Sequence, residues 1–494
     1  MASDFPDAVA WKNLADGSEL TFSSWHLGAN RLAHGMVRRG VKPGDRVAIA
    51  ITADQPFEWL TSYMGIHRLG AVAVPLTTRL SGHELELILT HAGAKALLAS
   101  DSILATHPRL ARGIDVIGSI AGTDTSRDAF CDLCSDDADD LDHVLDEDDV
   151  ADIMYTSGTT GTPKGVVVRH GGLSASDRVP KTWHGLGFLT SSPFSTTSGS
   201  LLICGPMRGG SSGWFLPRFD PARWLEIVSL DRPVAAFLVP AMVLLIVADP
   251  HFSRADLSSL VVVNIGSAPI ATETLRQFGA ALSHADVMCG YGMTEFGAVS
   301  ATPPGDGGVH LGSVGRALPG VRLRIVDLDG QEVARGATGE ITVSGDRARR
   351  TYLDDSEASA QTWVDGWLHS GDLGYLDDDG FLWVVGRQKE IIIRGGHNIA
   401  PGEVEAALLS HPDVVDAAVA GVAHRVLGED IAAWIVLGAG AGASVSDVSD
   451  YLLTRLADYK VPRRLRVVDS LPRNEAGKVL KAELVNNEAQ RSDS

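Results

Sequence analysis

The chain is short of cysteine, short of basic residues and without a long apolar run, and each shortage excludes a class of protein. Four cysteines in 494 residues cannot build a disulfide scaffold, which fits a reducing compartment and makes the cytoplasm the expected location. Cys131 and Cys134 have C-x-x-C spacing, but no second Cys or His pair stands near, so they read as incidental loop residues rather than a zinc or redox site. Lysine and arginine number 42 against 62 aspartates and glutamates, a net charge of −20. Such a surface is wrong for nucleic acid, whose phosphates need basic contacts, and any polyphosphate ligand must be met by local positive charge. The longest apolar run, Pro233 to Ala248, contains Pro240 and falls short of the ~20 residues of a membrane helix, so it reads as core. Met1 to Ala8 is acidic and lacks the basic start of a signal peptide, so none is expected. Internal repeats are absent, and so are low-complexity tracts apart from a Gly/Ala loop at Gly438 to Ala443.

What is present is an ordinary globular composition, 45% hydrophobic and 21% charged, in a chain too long for one compact core. Helical apolar spacing at Ser23 to Arg38 and Gln55 to Leu69 alternates with short apolar strands at Arg46 to Ile51 and Ala71 to Pro75. That alternation predicts α/β layers with largely parallel strands. Asp132 to Asp149 is strongly acidic and reads as a solvated linker. The α/β pattern resumes from Asp220 to about His284, with strands at Val234 to Val239 and Leu260 to Ile265. Between Val309 and Val385, short strands with Gly and Asp turns predict a small β-barrel or sandwich, and the segment after Arg387 has its own α+β alternation. The expected fold is multidomain α/β: a large N-terminal domain over 1–386, with a β-barrel subdomain at about 305–386, then a small α+β domain over 387–494.

The most telling stretch runs from Tyr155 to Val168. Thr156 to Gly165 hold only Thr, Ser, Gly, Pro and Lys, between apolar residues at Val150, Ile153 and Met154 and at Val166 to Val168. This predicts a polar loop between two strands. Its glycines admit a close ligand, and its hydroxyls, N–H groups and Lys164 suit a phosphate chain. A Walker loop is excluded, because Lys164 lies between Pro163 and Gly165 and the loop feeds a valine-rich strand, not a helix.

Further strings follow in order. Gly266-Ser267-Ala268-Pro269 precedes Gly290-Tyr291-Gly292-Met293-Thr294-Glu295, which reads as a Gly-rich turn after an apolar strand. Glu295 is a carboxylate suited to a hard cation, and Tyr291 offers a flat face to a purine. Asp372, in His369-Ser-Gly-Asp-Leu-Gly374, can accept two O–H donors, although an isolated S-G-D is ordinarily a turn cap. Gly386-Arg387 opens a run through Lys389 and Arg394-Gly395-Gly396 to Glu405, and Pro472 to Lys478 lies near the C-terminus, after Tyr459-Lys-Val-Pro462.

In this order, from about Asp16 to Leu484, the strings resemble the adenylate-forming superfamily of acyl-CoA synthetases, peptide-synthetase adenylation domains and luciferases. The resemblance implies an ATP-dependent, AMP-forming acid–thiol ligase using ATP, Mg²⁺ and coenzyme A. It implies that Thr156, Ser157, Gly158, Thr159, Thr160 and Lys164 grip phosphates. Gly266, Ser267, Ala268 and Pro269 would wall the adenine and acyl site, with Gly290, Tyr291, Gly292 and Met293 beside the nucleotide. Asp372 would take the ribose hydroxyls and Arg387 the ribose or phosphate, while Thr159 and Glu295 would hold the metal. Thr294, Glu295 and Lys478 would be catalytic, Lys478 bridging the carboxylate and the α-phosphate. Lys389 would be the hinge of a mobile C-terminal domain, and Arg394, Gly395 and Gly396 would meet CoA, the glycines lining a pantetheine tunnel.

Two positions depart from the family pattern. Cys289 stands where many relatives carry Gln or Asn, and Ser192-Pro-Phe-Ser195 replaces the usual Pro-Leu-Phe-His. Ser195, Thr196 and Gly199 are the expected acyl-pocket residues, and Gly209-Gly-Ser-Ser-Gly213 is likewise small, so a roomy pocket for a hydrophobic, bulky or polycyclic acid is expected. No Asp occurs between Val179 and Leu216 to hold a substrate ammonium, which argues against amino acids. Three activities stay open: the full ligase, thioesterification of a pre-formed acyl-adenylate only, and loading of a carrier protein. The expected protein is freestanding, a monomer or homodimer with no membrane span, delivering to a partner ligase or a downstream acyltransferase or synthase.

Overall fold

The computed structural model describes the chain except residues 121–131, 157–163, 174–179, 307, 346–348, 439, 475–476 and 493–494. Two long helices form its centre. Helix Phe22–Arg38 starts at a capping box, in which the Thr21 hydroxyl accepts from the Ser24 N–H and the Ser24 hydroxyl accepts from the Thr21 N–H. Its buried stripe, Trp25, Ala29, Leu32, Ala33 and Met36, repeats at helical spacing. Helix Pro56–Leu69 begins on Pro56 and stops at Gly70 in the left-handed region (φ 76°). The two helices cross closely at glycine: a Cβ at Gly65 would lie 2.9 Å from the Ala29 carbonyl oxygen. Burying side chains such as Leu32 and Met36 contributes about 1.5–3 kcal/mol each.

Two sheets flank this layer among the described residues. The seven-stranded sheet runs in the order Thr351–Tyr352, Lys164–Arg169, Val150–Thr156, Val72–Pro75, Arg46–Ala50, Ala96–Ser100, Val116–Ile120, parallel from Val150–Thr156 onward. The nine-stranded sheet has a parallel centre of Asp286–Met293, Val262–Ile265, Ala235–Leu238, Leu186–Thr190 and Ser211–Phe215. The apolar run at Pro233 to Ala248 is the strand Ala235–Leu238 and the helix Pro240–Ala248, with Pro240 at the first helical position. The expected α/β layering is therefore present, as is a separate C-terminal α+β unit built on Val414–His424, Gly428–Leu437 and their neighbours.

Three expectations need correction. Residues 305–386 do not close into a barrel among the described residues. They give an antiparallel sheet of Val321–Val326, Gly339–Gly345, Trp367–Leu376, Trp363–Val364 and Leu382–Arg387. They also lend Thr351–Tyr352 and Arg316–Ala317 to the two large sheets. The acidic segment after Asp132 is no free linker: Leu133 is buried in the central core, its carbonyl lies against Gly35, and Asp140 pairs with Arg68 at 3.2 Å. A buried leucine and charge pairing hold it to the helices. Finally, Tyr291 to Met293 do not lie in a turn. They continue the strand Asp286–Met293, which pairs with Gly297–Ala301, so the turn is Thr294 to Phe296.

Candidate active site

The phosphate string sits at the end of a hairpin. Val150–Thr156 and Lys164–Arg169 pair antiparallel with Thr156 opposite Lys164, which brings both ends of the loop together. Ser157, Gly158, Thr159 and Thr160 lie outside the described residues. Tyr352, on the edge strand beside Lys164–Arg169, pairs with Val166, which places it diagonal to Lys164 on one face. The Lys164 ammonium lies 5.1 Å from the centre of the Tyr352 ring, a cation–π distance. The Tyr352 hydroxyl donates to Glu295 Oε1 at 2.9 Å, so one phenol joins the lysine of the loop to the proposed metal carboxylate. The Thr294–Glu295 turn is tied down on both sides: Thr294 shares a 2.8 Å hydroxyl bond with Thr197, and buried Arg350 donates to the Thr294 carbonyl at 2.8 Å.

The nucleotide side converges from three elements. Ile265 pairs with Cys289 in parallel register, bringing Gly266 to Pro269 alongside Gly290. Ser267 holds φ at +78°, a left-handed value costly for a residue with a Cβ and typical of functional turns. Cys289 is buried, which pushes its thiol up to about 12. Asp372 and Arg387 are cross-strand partners, with Arg387 Nε 3.1 Å from Asp372 Oδ1. Tyr291 O–H donates to Asp372 Oδ2 at 2.6 Å. Burial pushes the Asp372 carboxyl upward, while Arg387, the Tyr291 hydrogen bond and Lys478 pull it back.

Lys478 reaches this group from the far end of the sequence. Its loop is a small hairpin: Arg473 bridges Val479, and Asn474 and Lys478 exchange hydrogen bonds at 2.9 Å. Arg473 anchors it to Asp416 through two contacts of 2.8 and 2.7 Å. Gly477, at φ 77°, rests on Val239, where a Cβ would lie 3.1 Å from a valine methyl. Lys478 is exposed as a residue, yet the protein around its ammonium partly desolvates it. Desolvation and then the Arg387 charge hold its pKa below the ordinary lysine value, against Asp372, Glu295 and Glu390. Two cations and two carboxylates from four segments thus share one electrostatic site.

The remaining residues are placed as follows. Lys389 lies in an exposed turn, Gln388–Glu390, directly after the Arg387 strand. Gly395 and Gly396 form a tight turn with φ of 56° and 86°, which favours glycine, and both are exposed. Arg394 is engaged within the C-terminal unit, bonding Asp430 at 2.6 Å and the Tyr459 carbonyl at 3.1 Å. Ser195 is half-buried. Thr196 caps the helix Thr197–Cys204, accepting from the Gly199 N–H at 3.0 Å, and a Cβ at Gly199 would collide with the Pro193 carbonyl. Gly213, in the next cluster, is small for a similar reason: a Cβ there would lie 2.5 Å from the Trp11 ring. These glycines make room for backbone and indole, so they are not evidence of a wide acyl pocket.

Tyr352, Arg350 and Thr197 were not singled out from sequence. The available hint was an arginine and a tyrosine of the Arg349-Arg350-Thr351-Tyr352 string in a stretch otherwise marked by Gly and Asp. Among the described residues no group of three or more His, Cys, Asp and Glu could cage a metal ion. Glu295 still fits Mg²⁺, which takes one or two protein carboxylates and fills its shell with phosphate oxygen and water.

The polar loop between paired strands, Glu295, Asp372, Arg387 and Lys478 form the candidate active site, and the sequence places it in a family. The AMP-binding enzyme family matches residues 1–353, and the AMP-binding enzyme C-terminal domain matches 403–478. A Rhodococcus jostii ligase, 3-[(3aS,4S,7aS)-7a-methyl-1,5-dioxo-octahydro-1H-inden-4-yl]propanoyl:CoA ligase, is 33% identical over 97% of this chain and 96% of its own. Feruloyl-CoA synthase from an Amycolatopsis species is 34% identical, with the same coverage of 97% and 96%. The crystal structure of ATP-bound MatB from Rhodopseudomonas palustris superposes with a TM-score of 0.86 at 31% identity, covering 98% of this chain and 96% of that one. The chain belongs to the AMP-binding enzyme family, as an ATP-dependent, AMP-forming acyl-CoA synthetase that uses ATP, Mg²⁺ and CoA. No helix among the described residues is long and apolar enough to cross a membrane.

Proposed function

We propose that this synthetase activates a hydrophobic, bulky carboxylic acid as its acyl-adenylate and passes the acyl group to CoA by swinging the C-terminal domain beyond Lys389 about that residue. The observation that carries the reading is the arrival of Lys478 beside Asp372, Arg387 and Glu295. Two anions, the carboxylate and the α-phosphate, must meet, and a point charge on a flexible stem offsets their repulsion where it builds. Asp372 holds the ribose, Lys164 and the polar loop hold the outer phosphates, and Tyr352 keeps Glu295 aimed at them. Bound Mg²⁺ supplies further neutralisation of phosphate charge at Glu295.

The second half-reaction needs Lys478 out of the way and a thiol path in its place. The exposed turn Gln388–Glu390 is the proposed pivot, and the Lys481–Glu390 pair at 3.2 Å lies on its C-terminal side. Rotation there would withdraw the Lys478 hairpin and present Gly395 and Gly396. Relatives named for a fused bicyclic propanoate, for ferulate and for indoleacetate support a ring-bearing acid. We assign the protein to the cytoplasm and its product to a downstream acyltransferase or synthase. Pyrophosphate exchange over ring-bearing and linear acids, run beside CoA consumption, tests the reading. Acid-dependent exchange without CoA is expected. Absence of exchange with brisk turnover of a supplied acyl-adenylate would overturn the adenylation half.

A further inference from the structure

Lys481 stands just past Lys478, at the first position of the helix Lys481–Ser492. Local physics argues against a lysine there, because the N-terminal end of a helix repels a cation. The reason for its place is tertiary. Its ammonium lies 2.9 Å from Glu405 Oε1 and 3.2 Å from Glu390 Oε2. Burial works to lower its pKa, yet Glu405 and then Glu390 outweigh burial and raise it, so the group stays charged. The Leu480 N–H donates to the Pro472 carbonyl at 2.8 Å, which closes the Lys478 hairpin directly before Lys481.

The two carboxylates are held differently. Glu405, on the helix Pro401–Leu409, also accepts the Val419 N–H at 2.8 Å, so backbone fixes it whatever Lys481 does. Glu390 has no second anchor for its carboxylate among the described residues, and its side chain is nearly half exposed in the turn after Arg387. It is also within electrostatic reach of Lys478. Desolvation and Arg387 lower the Lys478 pKa, and Asp372, Glu295 and Glu390 oppose them. Glu390 therefore stands between two lysines: Lys481, which it touches, and Lys478, whose charge the adenylation step needs.

We propose that Lys481 is a positioning residue for adenylation: it captures Glu390 and so keeps that carboxylate from pairing with Lys478. The Lys478 ammonium is then free for the substrate carboxylate and the α-phosphate. The assignment rests on the ligase reading above and adds a residue to it. Pairing with Glu390 would cost Lys478 twice. Its charge would be offset before the substrate arrives, and its flexible stem would point to the hinge turn instead of the nucleotide. Lys481, Glu390 and Glu405 all lie beyond Lys389, so the arrangement travels with the C-terminal domain and needs no rebuilding when the domain turns.

Pyrophosphate exchange and CoA-dependent turnover of a supplied acyl-adenylate test it on the full-length enzyme. Both use the acid that the wild type exchanges best among the ring-bearing and linear acids above. Lys481→Met is expected to lower kcat for exchange by about ten- to a hundredfold, with KM for ATP and turnover of the supplied adenylate near wild type. Adding Glu390→Gln to Lys481→Met should recover most of the lost exchange, because the amide carries no charge to hold Lys478. Lys481→Arg keeps the charge and should retain most of the activity. If Lys481→Met does not fold, Lys481→Gln, which still donates a hydrogen bond to Glu405, carries the same test. A role in holding the fold alone would depress both half-reactions together, and Glu390→Gln would not rescue it. Undiminished exchange in Lys481→Met, equal loss in both assays, or a double variant no better than the single one overturns the assignment. Absence of wild-type exchange with every acid overturns the ligase reading and this inference with it.

Discussion

The two halves of the active site are built differently. The phosphate half is rigid: Lys164, Tyr352 and Glu295 sit on strands or a hairpin turn of the two large sheets, and Arg350 and Thr197 bolt the turn to its surroundings. The other half is assembled. Asp372 and Arg387 pair across two adjacent strands, but Lys478 arrives on a loop that rests on Val239 and Ala241 through Gly477. A group held by strand pairing stays in place through a catalytic cycle, whereas one resting on a small contact patch can be withdrawn. The first half suits binding that both half-reactions share, and the second suits a step that only one of them needs.

Removing the delivered charge should separate the halves most sharply. Lys478→Ala is expected to lower the rate of adenylation by about 10²–10³ while leaving turnover of a supplied acyl-adenylate near wild type. Equal loss in both assays would mean that Lys478 is not specific to one step. Asp372→Ala should lower kcat/KM for ATP by roughly 10–100-fold, since it deletes hydrogen bonds to a charged group, and here both halves should suffer because both states hold the ribose. Gly477→Val adds a side chain against Val239 at a left-handed position, a strain of about 1–3 kcal/mol. It should weaken adenylation by about tenfold and spare thioesterification, so slowed thioesterification would count against a withdrawable loop.

Two smaller effects probe each half alone. Tyr352→Phe keeps the ring over Lys164 and removes the hydroxyl from Glu295, so a few-fold rise in the Mg²⁺ concentration needed for exchange is expected; an unchanged Mg²⁺ titration would deny Tyr352 that positioning role. The pH profile probes the other side. Because desolvation and Arg387 lower the pKa of Lys478, its proton leaves earlier than an ordinary lysine's as pH rises. Adenylation should therefore lose rate on an alkaline limb that begins below the usual lysine range, and turnover of supplied adenylate should lack that limb. Lys478→Arg, always charged, should remove the limb from whatever activity it retains.

The legible parts of the molecule were those whose chemistry is written locally. The helices at Phe22–Arg38 and Pro56–Leu69, and the strands Arg46–Ala50 and Val72–Pro75 that follow each of them, follow from apolar period and caps. The Thr156–Gly165 hairpin was readable because its flanks are apolar and its interior is not. The illegible parts depend on partners far away in sequence. Leu133 binds its acidic segment to the central core, Tyr352 meets Glu295 across fifty-seven positions, and the glycines at 199 and 213 are small because of Pro193 and Trp11. Small residues near an active site look like pocket wall until the neighbour that needs the space is known.

By itself the sequence determined the order of the motifs and so the chemistry proposed for them: a polar loop for phosphate, a carboxylate for the metal, an aspartate for ribose and a lysine near the end. These follow from residue type and backbone freedom, which act over a few positions. Only the tertiary structure decided which of them share a field. The sheet register sets Arg387 on Asp372, the edge strand sets Tyr352 between Lys164 and Glu295, and the Gly477 contact brings Lys478 in. Coulomb and hydrogen-bond energies depend on distances in space, and those are set by packing between segments that no local pattern relates.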